Sequence, residues 1–549
     1  MAEISKEQLA ELQKVLEELE QQKKPFEEMW KDIVAYMGLA YGDFCNPNQG
    51  KVPAYRLYDT TARDASETLA DGVEGYAFNR STKWFGYKLM SVKDGADPKL
   101  AKKLIEKVQR VAYKWLDSSN FYDEATAFIR NGADLATSCM LFTFDREKSS
   151  PRFSVVHLKD VFFMPASDGE LRTMFRYVWF TKKEAIRFFG EDKLSDDIRQ
   201  CEEPLKKFRF VQMEAPVVDW EDIDIPGSGD YFSIYWSFDE PDKILKSERL
   251  LERDMCVWRW KRQIYGGTWG VDSPGMSSLP MMRFVNTLQE DILTASEIAG
   301  KGLWKKTKGL KINFRAGGVT ELESGQDFAA VSRNNDLSWL QSHVEYYRKA
   351  INTAYKTDLF LILSQNIEQT KTATEVAGIE TEKNNLMSAF FSRLGKEFLD
   401  PVLSWLFRQV LLYAGRNDAL DVTEEEIEQI EDMELSVEFA SPYFSSQEKN
   451  FELRPSVTWM NNVISLAQIN PEVLDRIDWD AYVELDHDLE KASEQLLVDI
   501  NTAKEIRQRR AEAQLAALRS QQEQAQAAND RADYETYSKA PEQGSAYGG

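Results

Sequence analysis

The sequence predicts an α+β chain, mainly helical, built as two or more subdomains. Three observations predict it. With 549 residues, the chain exceeds the roughly 250–300 at which one hydrophobic core stops growing. Apolar residues recur at three- and four-residue spacing over most of its length, the stripe of an amphipathic helix. Between Leu141 and Val257 that period gives way to short β-rich pieces separated by turn residues. A hydrophobic content of 43% and an aromatic content of 12% are enough to build cores and exclude wholesale disorder.

The first helix is expected over 5–38, where Leu9, Leu12, Leu16 and Leu19 fall on an a/d spacing. Two heptads are too few for a coiled coil, and an ordinary surface helix is the simpler reading. A second helix covers about Thr60–Phe78 with Asp59 as its N-cap. A third runs from Pro98 to Ser118 and a fourth from Tyr122 to Thr137. The β-rich pieces FSVVHL, VFFMPA, FRYVWF, FRFVQMEA, YFSIYWSF and CVWRWK then predict a mixed sheet, with one short helix near Lys182–Phe189.

A loop containing Tyr265–Gly270 and Ser273-Pro274-Gly275-Met276 leads into a helix over about Leu279–Lys301. Its stripe is Met281, Val285, Leu288, Ile292, Ala295 and Ala299. A short β insertion, Gly309–Val331, separates it from a helix over about Ser338–Lys356, striped by Leu340, Val344, Tyr347 and Ile351. Helix, β excursion, returning helix is the pattern of a hairpin with a projecting tip. A polar, glycine-free loop follows. Thr372-Ala373-Thr374-Glu375 then forms a capping box: the Thr372 hydroxyl accepts from the Glu375 amide, and the Glu375 carboxylate reaches back to the Thr372 amide. Val376, Ile379, Leu386, Phe390, Leu394 and Phe398 stripe the long helix beyond it, which Asp400-Pro401 restarts or kinks. An acidic segment (Thr423–Glu434), VEFASPYF and shorter helices come next. From Thr502 to Ala528 only Ile506, Leu515 and Leu518 interrupt a run of Arg, Gln, Glu and Ala. Such a helix packs against copies of itself or frays.

Charge and chemistry narrow the function. Against 68 basic residues stand 91 acidic ones, a formal net charge of −23, so a broad basic nucleic-acid footprint is absent. An acidic wall suits a passage through which DNA slides unclamped; acidity for solubility fits equally. The four cysteines (Cys45, Cys139, Cys201, Cys256) form no CxxC pair and read as reduced intracellular thiols. No signal-peptide pattern opens the chain, and no apolar run approaches the ~18 residues of a membrane span. A soluble chain, made and used inside a cell, is expected. There is no Walker A string, HExxH or GxSxG, and His157, His343 and His487 lie far apart. Neither a metal, a cofactor nor catalysis is expected.

Seven strings in order, over about 450 residues, carry a resemblance. They are Tyr58-Asp59-Thr60-Thr61-Ala62 with Leu69-Ala70-Asp71-Gly72; Trp84-Phe85; Ser119-Asn120-Phe121-Tyr122; Ser273–Met276 with Leu279-Pro280; Thr372–Val376 with Pro401; Ala440-Ser441-Pro442; and Ile506-Arg507 with Arg509-Arg510-Ala511. The chain resembles the portal (head-to-tail connector) proteins of short-tailed bacteriophages. It departs from them at Gly267–Asp272, which lengthens a string that is compact in the family.

The resemblance implies a portal fold: wing over 1–278, stem helices over 279–305 and 338–357, and an α/β clip over 306–337. A tunnel loop over 358–372, a long kinked helix over 373–416, and wing return and crown over 417–501 follow. A barrel helix over 502–529 and a disordered tail over 530–549 complete it. It further implies a ring, a dodecamer, at one capsid vertex of the virion, assembled in the host cytoplasm. Partners would be the capsid protein, the terminase packaging motor, tail adaptor proteins and double-stranded DNA passing without sequence readout; no membrane is involved. Gln365, Asn366, Glu368, Gln369 and Lys371 would project into the channel ahead of the Thr372/Glu375 cap. An ordinary surface loop is the rival for those residues; Arg507, Arg509 and Arg510 read as a solvated helix face balanced by Glu505 and Glu512, with a DNA contact as the alternative. A capsid or scaffolding protein, and an enzyme with an unrecognised site, are the rivals for the whole chain.

Overall fold

A computed structural model of the chain describes residues 4–38, 41–42, 44, 57–89, 98–146, 148–220, 222–301, 304–313, 321–330, 337–360, 386–414, 435–439, 454–468, 470–483, 498 and 500–538. It divides into two compact units, Met1–Phe444 and Ser445–Gly549.

The first unit opens with α1 (Lys6–Met37), started by a capping box in which Ser5 and Gln8 exchange side-chain and backbone hydrogen bonds. Three helices follow: α2 (Thr61–Ala77), α3 (Pro98–Ser118) and α4 (Phe121–Leu135), with β1 (Phe85–Leu89) between the first two. Thr60, not Asp59, occupies the N-cap position of α2. Asp59 still serves that turn, its Oδ1 accepting from the Thr61 amide at 3.0 Å, while the Thr60 hydroxyl donates to Asp64.

The β-rich region forms two antiparallel sheets, where the sequence pattern predicts a mixed one. A three-stranded sheet is ordered β3-β2-β9, from β2 (Thr137–Asp145), β3 (Ser150–Val155) and β9 (Met255–Arg259). A five-stranded meander runs β4 (Val161–Pro165), β5 (Leu171–Thr181), β6 (Lys207–Pro216), β7 (Tyr231–Ser237) and β8 (Ile244–Leu250). Short turns join β2 to β3, β4 to β5 and β7 to β8, and a short connection can only return a strand antiparallel. The longer β5–β6 link holds two short helices, α5 (Lys182–Phe189), started by a Thr181–Glu184 capping box, and α6 (Asp196–Gln200).

Period-two alternation gives the meander two faces. Phe175, Val211, Met213, Phe232, Ile234 and Trp236 point one way and pack on Leu9, Leu12 and Leu16 of α1. Phe210, Tyr235 and Leu245 point the other way and pack on Ala185 and Phe189 of α5 and Ile198 of α6. The rest of α1 enters the main core: Trp30, Ile33, Val34 and Met37 are buried with α2, α3, α4, the three-stranded sheet and the helix described from 386. Between these halves Pro25 interrupts the helical hydrogen bonding. Lys23 lies fully buried there. Its ammonium donates to the carbonyls of Lys159 (2.7 Å) and Val161 (3.0 Å), pairs with Glu27 and sits over the Phe162 ring.

Next come α7 (Pro274–Lys301), β10 (Trp304–Lys306), β11 (Phe328–Ala330) and α8 (Leu337–Ala354). The first of these helices starts five residues before the Leu279 expected from periodicity, because Ser273 accepts the Met276 amide and Pro274 fits a first turn. In the long helix, described from 386, a π-turn over Gly395–Leu399 immediately precedes α9 (Asp400–Gln409), with Pro401 in its first turn. That is where the restart is expected. The strand β12 (Leu435–Phe439) pairs antiparallel with β1.

The second unit contains α10 (Arg454–Ala467), a short 3-10 turn over Pro471–Arg476 and α11 (Ile500–Ser538). This last helix extends ten residues past Ala528, into the stretch expected to be disordered, although only Arg531, Ala532 and Glu535 there are strong helix formers. Ile506, Leu515 and Leu518 are exposed on it. Arg507 forms a forked ion pair with Asp480; Arg509 and Arg510 are exposed, so this face is solvated.

Candidate functional site

The α7/α8 hairpin is the feature most like a working part. Val285 and Leu288 on one helix and Val344 and Ile351 on the other are buried, with Met281, Ile292, Leu340 and Tyr347 packed beside them. The Phe284 and Tyr347 rings meet edge to face at 4.9 Å. Away from the base the burial fades. Leu293, Trp339 and Tyr346 are exposed, and the two helices end on the two-stranded pair β10–β11.

Asp134, at the C-terminal end of α4, gathers the base of the hairpin. Its carboxylate is fully buried. It accepts from the Tyr41 hydroxyl (2.6 Å), the Ser66 hydroxyl of α2 (2.8 Å) and the Tyr355 hydroxyl just past α8 (2.9 Å). Burial pushes this carboxyl up to about 6, although the three hydroxyl donors and Arg130 favour its charged form. Its carbonyl accepts from the Ser273 hydroxyl at 3.2 Å. Gly275 lies so close to that carbonyl that a Cβ would stand 2.1 Å from it. The glycine of the Ser273–Met276 string is there so that two backbones can touch.

The Tyr58-Asp59 string docks on the same hairpin from the other side. The Tyr58 amide donates to Asn286 (2.7 Å) and its hydroxyl to Glu290 (3.1 Å), both on α7. Asp59 receives Arg348 of α8. Beyond α8 the chain turns at Lys356, which has a positive φ of 55°. It then reaches Phe360, whose ring covers Gly72 of α2, where a Cβ would meet it at 2.4 Å. Thus two of the seven motif strings meet around one base: 58–62 with 69–72, and 273–276 with 279–280.

A polar cavity of about 450 Å³ opens between the meander, the three-stranded sheet and α9. Glu214 of β6 and Asp254 line it. The Asp254 amide donates to Glu214 at 3.2 Å, and the Trp405 indole of α9 donates to Asp254 at 2.8 Å. Burial, then the neighbouring Asp254 charge, push the Glu214 carboxyl upward, against Arg253 and Arg176. Its Oε2 is buried with no hydrogen-bond partner, as suits a carboxyl that keeps its proton. This pair welds α9 to two sheets.

No group of acidic, histidine and cysteine side chains among the described residues could hold a metal ion. Described His157 accepts the Lys159 amide, and Cys139, Cys201 and Cys256 are free thiols. No described helix is long and apolar enough to cross a membrane. Gln365, Asn366, Glu368, Gln369, Lys371, Thr372 and Glu375 lie outside the described residues. Sequence reasoning missed Asp134 and Glu214. The only signal was an acid standing alone inside a buried apolar run, GADLATSCMLF and FVQMEAP.

Comparison with known proteins agrees with the motif strings. The chain is 25% identical to a probable portal protein of Bordetella phage BPP-1, with 89% of this chain and 88% of that protein covered. It is 24% identical to the portal protein of Salmonella phage epsilon15, with 98% and 97% covered. A family model described as bacteriophage head to tail connecting protein matches residues 9–489, and the chain therefore belongs to that family of structural proteins.

Proposed function

We propose that this head-to-tail connector is the subunit of a closed ring, by family expectation a dodecamer, set at one vertex of a phage capsid. The ring conducts DNA inward during packaging and outward during ejection, and offers a platform to the terminase motor and then to tail adaptor proteins. The observation that carries the reading is the family match over 9–489, on a chain in which two of the seven motif strings, at 58–72 and 273–280, brace the base of the α7/α8 hairpin. In this reading α7 and α8 are the stem and the β10–β11 tip is the clip. The body up to β9 is the wing, the helix from 386 is the long kinked helix, and α11 contributes to the crown or barrel. A ring needs head-to-tail contacts whose rotation closes; the aromatic residues exposed along the hairpin suit such contacts.

The chain's role is mechanical, with no chemistry of its own. The acidic balance of −23 keeps a polyanion from sticking, and Gln365–Lys371 impede its backsliding. Native mass spectrometry with negative-stain imaging tests the architecture. Twelve copies of a 63.2 kDa chain give a ring of about 760 kDa with a central hole. Shells, filaments or a compact dimer would overturn the reading. For the loop, deleting Gln365–Lys371 should spare the ring and reduce retention of packaged DNA.

A further inference from the structure

The charge of the chain is unevenly spread. Residues 301–330 contain six basic side chains (Lys301, Lys305, Lys306, Lys308, Lys311 and Arg315) against three acidic ones (Glu321, Glu323 and Asp327), in a chain of net charge −23. The sign therefore reverses at the hairpin tip. Structure concentrates the excess further. Lys305 and Lys306 stand on β10, paired in register with Ala329 and Phe328 of β11. The turn Thr307–Leu310, closed by the Leu310 amide on the Thr307 carbonyl at 3.2 Å, puts Lys308 at its corner, and Lys311 follows directly. Lys305, Lys306, Lys308 and Lys311 are all exposed.

Their compensation within the tip is slight. Lys305 approaches Asp327 at 3.7 Å, with both side chains well over half exposed, a pairing that water and salt largely screen. The Lys306 ammonium donates to the Leu310 carbonyl, which holds it in place without cancelling its charge. Among the described residues Lys308 and Lys311 have no ion-pair partner. Asp327 is occupied through its backbone, its amide donating to the Thr307 hydroxyl and its carbonyl accepting from the Thr307 amide. These are point charges on flexible stems, displayed on a stiff two-stranded support. That suits an unspecific contact with phosphates, and it lacks the planar forks by which arginine reads a base or a carboxylate.

We propose that the β10–β11 tip is a duplex-DNA contact, in which Lys305, Lys308 and Lys311 neutralise backbone phosphates at the mouth of the ring. This rests on the connector reading above, and it adds a local basic contact to the expectation that DNA slides through without being clamped: the chain as a whole is acidic and the tip is basic. A basic mouth raises the local concentration of a polyanion, and the acidic remainder leaves it free to slide.

The test uses the assembled full-length protein and a fluorescent 30-base-pair duplex of arbitrary sequence. Binding is followed by anisotropy from low to moderate salt. A triple variant with Lys305→Gln, Lys308→Gln and Lys311→Gln is compared with wild type. All three side chains are exposed, so the variant should fold and form the ring, which native mass spectrometry checks first. Each lost phosphate contact reduces the slope of log K against log salt by about 0.9, so the triple variant should lose up to about 2.7 of slope for each protomer that touches the duplex and bind at least about tenfold more weakly. An unchanged slope and affinity overturn the inference, as does wild type that fails to bind the duplex at low salt. Unchanged DNA binding, with loss of attachment of an acidic tail or motor protein, reassigns the tip to a protein partner and overturns it equally. Failure of wild type to form a ring strikes the connector reading instead, so the two failures are distinguishable.

Discussion

Arg348 of α8 gives two hydrogen bonds, at 2.9 and 2.7 Å, to a single carboxylate oxygen of Asp59, a residue 289 positions earlier. The other oxygen of Asp59 holds the Thr61 amide. One aspartate thereby starts α2 and fastens the hairpin to it. Asp59 is almost fully buried, while Arg348 keeps about a third of its side chain in water, so their coupling should be modest. A double-mutant cycle of Asp59→Ala and Arg348→Ala, followed by urea unfolding, should return about 1 kcal/mol. Asp59→Ala alone should cost about 1–2 kcal/mol, because the Thr61 amide also loses its acceptor. A coupling near zero would mean the contact is incidental.

Asp134 should matter more. Asp134→Ala deprives three buried hydroxyls of their acceptor and should destabilise by more than about 3 kcal/mol. The pH dependence has a definite sign. The native carboxyl titrates at about 6, against about 4 when unfolded, so between those values the native state holds the extra proton. Stability contributed by this group is full below about pH 4 and is lost as pH rises to about 6. Asp134→Asn should flatten that descent in chemical unfolding measured from pH 4 to 7. The same slope in the variant would assign the descent to other groups.

Gly275→Ala places a methyl 2.1 Å from the Asp134 carbonyl oxygen, and neither backbone can yield cheaply. A loss above about 2 kcal/mol is expected in thermal unfolding. A nearly neutral change would show that the start of α7 can shift away from α4.

Glu214 predicts an effect of the same sign at higher pH. Burial and the neighbouring Asp254, itself raised by burial, hold its native carboxyl well above the usual carboxylate range, so wild type should weaken progressively as pH rises above that range. Glu214→Gln keeps the shape without the titration. It should gain on wild type as pH goes from 6 to 8.5, with hydrogen exchange across Asp400–Gln409 slowed relative to wild type at the alkaline end. Parallel pH profiles would remove Glu214 as the cause.

Much of the helical layout was legible because its signals are local: capping residues, the 3.6-residue stripe, and proline in a first turn. The start of α7 was misjudged because Ser273-Pro274 begins the helix before the apolar stripe does. The sheets were legible as strands but not as a pairing, since strand partners depend on which pieces meet. Strand β8 (ILKSERL) was overlooked, Leu245 alone being buried in it. Asp134 was invisible for a physical reason. Its meaning comes from Tyr41, Ser66 and Tyr355, up to 221 positions away, and a single aspartate announces no such company. Two of the seven strings that carried the family resemblance, those at 58–72 and 273–280, proved to be neighbours around one base, though nothing in their spacing along the chain says so.

One consequence of α1 concerns how the chain can change length. Its early turns are keyed to the meander through Leu9, Leu12 and Leu16, and its later turns to the helical core through Trp30, Ile33 and Met37. Both faces belong to one rod of 32 residues, about 48 Å long at 1.5 Å per residue. Inserting or deleting one residue between Leu16 and Trp30 would rotate one set of teeth about 100° against the other. Only steps near whole turns, three, four or seven residues, would keep both sets engaged. Single-residue insertions or deletions are therefore excluded from this part of the sequence, and any relative that differs in length here should do so by about whole turns.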